Sequence, residues 1–286
     1  MAKVLIGIIT RNRASHLPLA IESAGQQDYP DKEISVLDIA STDGTPAVRA
    51  QFPGIAWERS EQRIGIPESR NLLMRHPGAK YFFSLDDDAT FLRHDEISLG
   101  VKFLEEHPEY AGVAYDILLP GDTARPDRGE PIDAAMFVGC GHLLRLSDVA
   151  AIDYYAPNPT VYGGSEETDL CLRLYDRGRK IIFLPGVHVW HERTTAGRNL
   201  MEQYSHNLCN DLVSLWRRCP VPDLGWMFGG RLVSQFRFAL KTGRVVAYFR
   251  GLTLFAKALP RVVPSRDPVR PLAFRAFMRL KRATIS

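Results

Sequence analysis

Three aspartates in succession, Asp86-Asp87-Asp88, follow the apolar run Phe82-Phe83-Ser84-Leu85. Alternate side chains of a strand project to the same side, so Asp86 and Asp88 converge and repel one another. A hard divalent cation, magnesium or manganese, relieves that repulsion, and such ions combine one or two carboxylates with phosphate oxygens. The plainer alternative is a helix cap, with Asp88 or Asp95 accepting backbone N–H groups at the next helix. A second acidic group, Glu166, Glu167 and Asp169, follows the flexible pair Gly163-Gly164 at the start of a helical pattern. Acids there complement the macrodipole. Capping accounts for one or two of them, and the third points to a carboxylate serving as general base. His188 and His191 bracket Val189-Trp190. A lone histidine after a strand is more often structural, and this spacing is not that of the zinc proteases.

These groups need a frame. Short apolar runs at Val4–Ile9, Ile34–Ile39, Ile55–Glu58 and Tyr81–Leu85 alternate with helical stretches at Leu17–Gln27, Pro46–Phe52 and Pro67–Arg75. That order predicts βαβ units on a mostly parallel sheet. Ligands bind such sheets at the carboxyl ends of the strands. There the first run ends in Thr10-Arg11-Asn12-Arg13, the second holds Asp38 and ends in Ala40-Ser41-Thr42-Asp43-Gly44-Thr45, and the fourth ends in the three aspartates. Residues 120–131 read as a polar loop, followed by a strand Ala134–Val138, a helix over 166–177 and strands Lys180–Leu184 and Val187–Trp190. From about residue 198 the pattern is helical, broken by Pro220, Pro222, Pro260, Pro264, Pro268 and Pro271.

Several chemistries are excluded. Gly139-Cys140-Gly141 is too short for a dinucleotide fingerprint, and neither a Walker Gly-Lys-Ser/Thr nor a Gly-x-Ser-x-Gly elbow occurs. Cys140, Cys171, Cys209 and Cys219 are scattered, which argues against a disulfide framework or thiolate zinc site and for a reducing cytoplasm. With 45% hydrophobic and 24% charged residues, the 286-residue chain reads as an ordinary globular protein. No apolar run approaches the roughly 20 residues needed to span a bilayer. The N-terminus reads as a first strand without a signal peptide.

Six pieces in order give the chain a resemblance to glycosyltransferase family 2, the inverting sugar transferases of GT-A fold. They are Ile8-Ile9-Thr10-Arg11-Asn12-Arg13, Asp38-Ile39-Ala40-Ser41-Thr42-Asp43-Gly44-Thr45, Gly65-Ile66-Pro67-Glu68-Ser69-Arg70-Asn71, Asp86-Asp87-Asp88, Glu166-Glu167-Thr168-Asp169-Leu170 and Val189-Trp190-His191-Glu192. The resemblance covers residues 3–195 and implies an α/β fold with a Rossmann-like, mostly parallel central sheet flanked by helices. It implies a GT-A unit over 1–197, split into a nucleotide-binding half (1–120) and an acceptor and catalytic half (121–197), and a basic helical extension over 198–286.

By the same resemblance Thr10, Asn12, Asp38 and Arg70 bind the nucleotide. Asp86 and Asp87 lie on the ribose and diphosphate side of an Asp-x-Asp motif, and Asp88 with His191 ligates the metal, His188 pointing into the fold. Gly139 and Gly141 carry the donor sugar. Glu167 stands where the family's base is usually an Asp, which keeps Glu166 and Asp169 open as alternatives. Ile39 stands where a polar residue is common. The implied enzyme is a metal-dependent hexosyl- or deoxyhexosyltransferase, using manganese or magnesium. Its donor is a nucleotide diphosphate sugar and its acceptor a glycan or lipid-linked glycan, in bacterial surface polysaccharide or glycolipid assembly.

The formal charge of +3 conceals a split after Trp216: 21 basic and 31 acidic residues precede that point and 15 basic and two acidic follow, net −10 against +13. Leu232, Val233, Phe236 and Leu240, then Val245, Val246, Phe249 and Leu252, recur at helical spacing among arginines and lysines. Such helices suit the surface of an anionic membrane, and residues 217–286 are expected to make a peripheral contact there. The plainer expectation is that their apolar faces pack on the core. Two other functions compete. A sugar-nucleotide nucleotidyltransferase lacks support because no glycine-rich, basic phosphate loop opens the chain. A non-catalytic nucleic-acid binder is opposed by the acidic body.

Overall fold

The computed structural model describes residues 3–122, 129–193 and 199–285. Half of the predicted 120–131 loop and the predicted boundary at 197/198 lie outside the described residues. In chain order the elements are β1 Val4–Thr10, α1 Leu17–Gly25, β2 Lys32–Ile39, α2 Thr45–Val48, β3 Ala56–Ser60, α3 Ile66–Met74, β4 Tyr81–Asp86, β5 Ala89–Phe91, α4 Glu96–Glu106, β6 Tyr110–Leu118, β7 Ile132–Ala134, β8 Gly141–Arg145, α5 Leu146–Ala150, α6 Glu166–Asp176 and β9 Lys180–His191. Four helices follow: α7 Leu200–Arg218, α8 Val221–Lys241, α9 Val245–Val262 and α10 Pro271–Ile285.

One sheet runs in the order β3-β2-β1-β4-β8-β6-β9-β5, with β7 also on β9. Strands β1 to β4, β6 and β9 run one way; β5, β7 and β8 run the other. The sheet is therefore mostly parallel, and both its faces are covered. Along β1, Val4, Ile6 and Ile8 enter one core with α1 and α4, while Leu5 enters the other with α3, α6 and α10. This alternation is the period of two read on a strand buried on both sides. Gly7 breaks the apolar run because Phe82 from β4 crosses it: a Cβ there would meet the Phe82 ring at 2.5 Å.

Several expectations are corrected. Pro46–Phe52 is not one helix but α2 followed by a 3-10 turn at Arg49–Gln51. The strand expected at Ala134–Val138 is displaced to β7 and β8 on either side of it. The two strands expected around Pro185-Gly186 are one, β9, whose pairing with β6 jumps from Phe183 to His188 as the chain bulges outward. Pro260 does not end a helix: it lies in the last turns of α9, where the carbonyl of exposed Ala256 that it leaves without a donor can meet water. Neither expected cap on the helix after the aspartates forms. Asp95 makes no cap bond, and Glu96 instead accepts from the backbone N–H groups of Leu92 and Arg93 at 3.1 and 2.6 Å.

Candidate active site

The strand ends of β1, β2, β4 and β9 surround a cavity of about 430 Å³, within the ordinary range for a small-molecule site. Thr10, Arg11, Asn12 and Arg13 form one wall and Asp86, Asp87 and His191 another. Arg70 from α3, Gly139 from the loop before β8, and Glu166 and Glu167 from the first turn of α6 close the third.

The first wall is stitched to its neighbour. The Asn12 N–H donates to Ser41 Oγ at 2.9 Å, and Asn12 Oδ1 accepts from the Thr42 N–H at 2.8 Å. The Arg13 N–H donates to Thr45 Oγ1 at 2.9 Å. Asp87 accepts from the Arg11 N–H at 3.3 Å and lies 3.8 Å from Arg13 Nε. These bonds hold Asn12 (φ 55°) and Ala40 (φ 50°) in left-handed backbone, which costs about 1–3 kcal/mol for a non-glycine residue unless its surroundings fix it. Burial, with Asp86 and Asp88 adding repulsion, pushes Asp87 up to about 7 despite the nearby Thr10 hydroxyl and Arg13. Desolvation likewise raises Asp86, against the pull of Arg70 and His191.

On the third wall the buried Arg70 guanidinium donates to Glu167 Oε1 at 2.9 Å and to the Gly139 carbonyl at 3.1 Å. Its proton is held tightly: desolvation favours loss, but Tyr155, Glu167, Asp86 and Glu166 outweigh it. Gly139 is required by closeness, since a Cβ would lie 2.4 Å from both Arg70 Nη2 and Glu167 Oε1. Glu166 accepts from the Gly164 N–H. Burial first, and then the charge of Glu167, lift it to about 7. Just before it, Ser165 holds φ 64° and donates through Oγ to Asp211 Oδ1 on α7 at 2.7 Å; Asp211 Oδ2 in turn lies 3.1 Å from Arg231 Nε on α8.

Asp86, Asp88 and His191 bring one ligand atom each within 4.8 Å of one another. His191 Nε2 lies 3.2 Å from Asp88 Oδ1 and 3.9 Å from Asp86 Oδ2. Two carboxylates and an imidazole suit a divalent cation such as manganese. His188 is buried, with Nε2 3.9 Å from Asp116 Oδ2.

Four candidates lie off the cavity wall, one of them Asp88, buried beside His191. Asp38, near the end of β2, is buried, accepting from the Ser41 N–H at 3.0 Å and pairing with Arg59. Gly141 faces the core, where a Cβ would meet Ile117 and Val189. Asp169 turns its oxygens to Arg173 Nε at 2.7 Å and Arg218 Nε at 2.6 Å. Conversely, the cavity includes residues the sequence did not single out: Arg63, Tyr162, Asn199 and Gln203. Arg63 stacks over the Tyr162 ring at 4.4 Å, and Tyr162 packs on His206 at 4.7 Å. Arg63 and Tyr162 come from loops and Asn199 and Gln203 from the head of α7, positions that carry no strand-end signal.

A mixed sheet of this order, with acids and a histidine gathered at its strand ends, is the fold of the GT-A glycosyltransferases. Residues 5–145 match the family model described as Glycosyl transferase family 2. No curated protein matches the chain. Among solved structures, S. aureus TarS 1-349 shares the fold at 15% identity and a TM-score of 0.63, over 92% of this chain and 83% of that one. TarS 1-349 in complex with UDP-GlcNAc gives a TM-score of 0.62, also at 15% identity, with the same coverage. The mannosyltransferase PcManGT from Pyrobaculum calidifontis, in complex with GDP-Man and Mn2+, gives 18% identity and a TM-score of 0.60 over 90% of this chain and 75% of that one.

Proposed function

We propose that this glycosyltransferase is inverting, and that it moves a hexosyl or deoxyhexosyl group from a nucleotide diphosphate sugar to a hydroxyl of a glycan or lipid-linked glycan. The observation that carries this is the convergence of Arg70, Asp86, Asp87, His191, Glu166 and Glu167 on one cavity. Thr10, Asn12 and Arg70 hold the nucleotide and its diphosphate, with Asp38 bracing the loop after β2 from beneath. Asp86 and Asp87 face the ribose and diphosphate, and the donor sugar lies beside Gly139. Asp88 and His191, with Asp86 beside them, would hold manganese or magnesium, which when bound neutralises charge on the departing diphosphate.

Glu167 takes the proton from the acceptor hydroxyl as that oxygen attacks the anomeric carbon and the bond to the diphosphate breaks. Attack from the face opposite the leaving group inverts the configuration. Glu166 beside it, lifted to about 7, exchanges protons near neutrality and is the alternative base. The GT-A unit over 1–197 supplies these groups, and the basic extension over 198–286 lends Asn199 and Gln203 to the acceptor side. The setting is the cytoplasm, at the inner face of a bacterial membrane, in surface polysaccharide or glycolipid assembly.

The test is a panel of nucleotide sugars assayed for hydrolysis and thermal stabilisation with and without manganese or magnesium, followed by the anomeric configuration of the product. No response to any donor sinks the proposal, and retention of configuration sinks the displacement. Glu167→Gln should lower kcat by about 10²–10⁴ with donor affinity retained. Asp88→Ala should abolish the metal's enhancement of donor binding.

A further inference from the structure

Between Asp223 and Asp267 the chain holds eight lysines and arginines and no acid. This stretch is α8, α9 and the turn between them, and its inner side is already occupied: Phe228, Leu232 and Phe236 pack with Tyr204, Leu208 and Leu212 of α7 and with Ala247 and Tyr248 of α9. The outer side is not covered. Trp226, Val233 and Leu240 recur every seven residues, which places them on one face of α8, and each is more than half exposed. Val246 and Phe249 open α9 at 78% and 56% exposure. Exposed Arg237, Lys241, Arg250, Lys257 and Arg261 are interspersed, and among the described residues no acid lies within ion-pair distance of any of them.

Scattered exposed apolar residues are ordinary on a soluble protein, but a row of large ones flanked by unopposed cations is not. No helix among the described residues is long and apolar enough to cross a membrane. A cationic face with tryptophan and phenylalanine in it suits a surface that is anionic at its edge and apolar below. A second copy of this chain fits poorly, because a symmetric contact would set the same cations against each other.

We infer that the α8–α9 hairpin, rather than the whole basic extension, is the element that docks on an anionic phospholipid bilayer, with Trp226, Val233, Leu240, Val246 and Phe249 entering the interface. This deepens the functional reading above by naming one membrane-facing surface. It also gives a second cavity of about 430 Å³ its place. That cavity is lined by Gly164, Ser165, Gln203, Tyr204, Phe238 and Arg244, among others, and shares Gln203 with the active-site cavity. Phe238 and Arg244 belong to the hairpin ends, so docking brings this opening close to the level of lipid headgroups, within reach of a membrane-borne acceptor.

The test is flotation of the full chain with vesicles of phosphatidylcholine, with and without phosphatidylglycerol, at low and high salt. The chain should float with the phosphatidylglycerol vesicles at low salt and remain behind with phosphatidylcholine alone. Trp226→Ser and Phe249→Ser should each weaken binding about tenfold, and Arg250→Glu with Lys257→Glu by at least about fivefold per charge. Leu272→Ser, on α10 and more exposed still, should change nothing. Circular dichroism melts check that each variant is folded. Failure to float, or flotation untouched by folded hairpin variants, overturns the inference. So does a dimer that these variants dissociate without altering flotation. Hydrolysis of a nucleotide sugar without vesicles tests the transferase reading alone, so the two failures are separable.

Discussion

α10 and the outer face of the α8–α9 hairpin are built from the same materials, phenylalanines and leucines among arginines and lysines, yet one is fastened into the molecule and the other lies open. α10 buries Phe274 and Phe277 in the core beneath α6, with Tyr175 edge-on to Phe277 at 5.8 Å. Two of its cations and one just before it find partners on other elements: Arg270 lies 2.9 Å from Asp176; Arg275 lies 3.1 Å from Asp223; Lys281 Nζ donates to Thr168 Oγ1 at 3.0 Å. Among the described residues, the hairpin's outward cations have no such acids opposite them. Periodicity identifies an apolar face in both, and what separates their fates is the surface each one meets.

If that contrast is correct, the largest stability loss should come where fastening is charged and buried. Arg218→Ala leaves Asp169 inside with one arginine and should cost about 5 kcal/mol, measured by denaturant unfolding. Phe277→Ala should follow at about 4 kcal/mol through the cavity it leaves. Acid should loosen the same region. Burial alone would raise Asp169, but Arg173 and Arg218 together hold it below its usual 3.8. Its stabilisation is therefore full above the ordinary carboxylate range and lost as pH falls through the depressed native value. The wild-type unfolding free energy should fall there more steeply than that of Asp169→Asn. Smallest of all, Trp226→Ser and Phe249→Ser in the hairpin should alter stability in solution by no more than about 0.5 kcal/mol. A large loss from either would mean the hairpin's outer face is fastened too.

Legibility follows burial geometry. β1, β2 and β4 are covered on both faces and read as nearly continuous apolar runs, so their ends, and with them Thr10, Asn12 and the three aspartates, could be located from the chain alone. β6 could not, because Gly112 and Asp116 interrupt it: a Cβ at Gly112 would lie 2.8 Å from the Leu143 carbonyl oxygen, and Asp116 faces His188. β5 has three residues, too few to show a period. The acids of α6 were visible as a cluster, but which of them faces the cavity was not. That depends on Arg173, one turn on, and Arg218, forty-nine residues away, which turn Asp169 inward and leave Glu166 and Glu167 on the wall. Tyr162 and Gln203 reach the cavity by tertiary packing alone.

The left-handed turn at Ser165 has a mechanical consequence. Its side chain is anchored to Asp211 on α7, and Asp211 is gripped from the far side by Arg231 on α8. Two helices outside the sheet thus act as a bracket for the hinge from which Glu166 and Glu167 are aimed. The stiffness of that aim is inherited from the C-terminal helices, so a chain trimmed back to its sheet would keep every proposed catalytic carboxylate and lose the mount that points them.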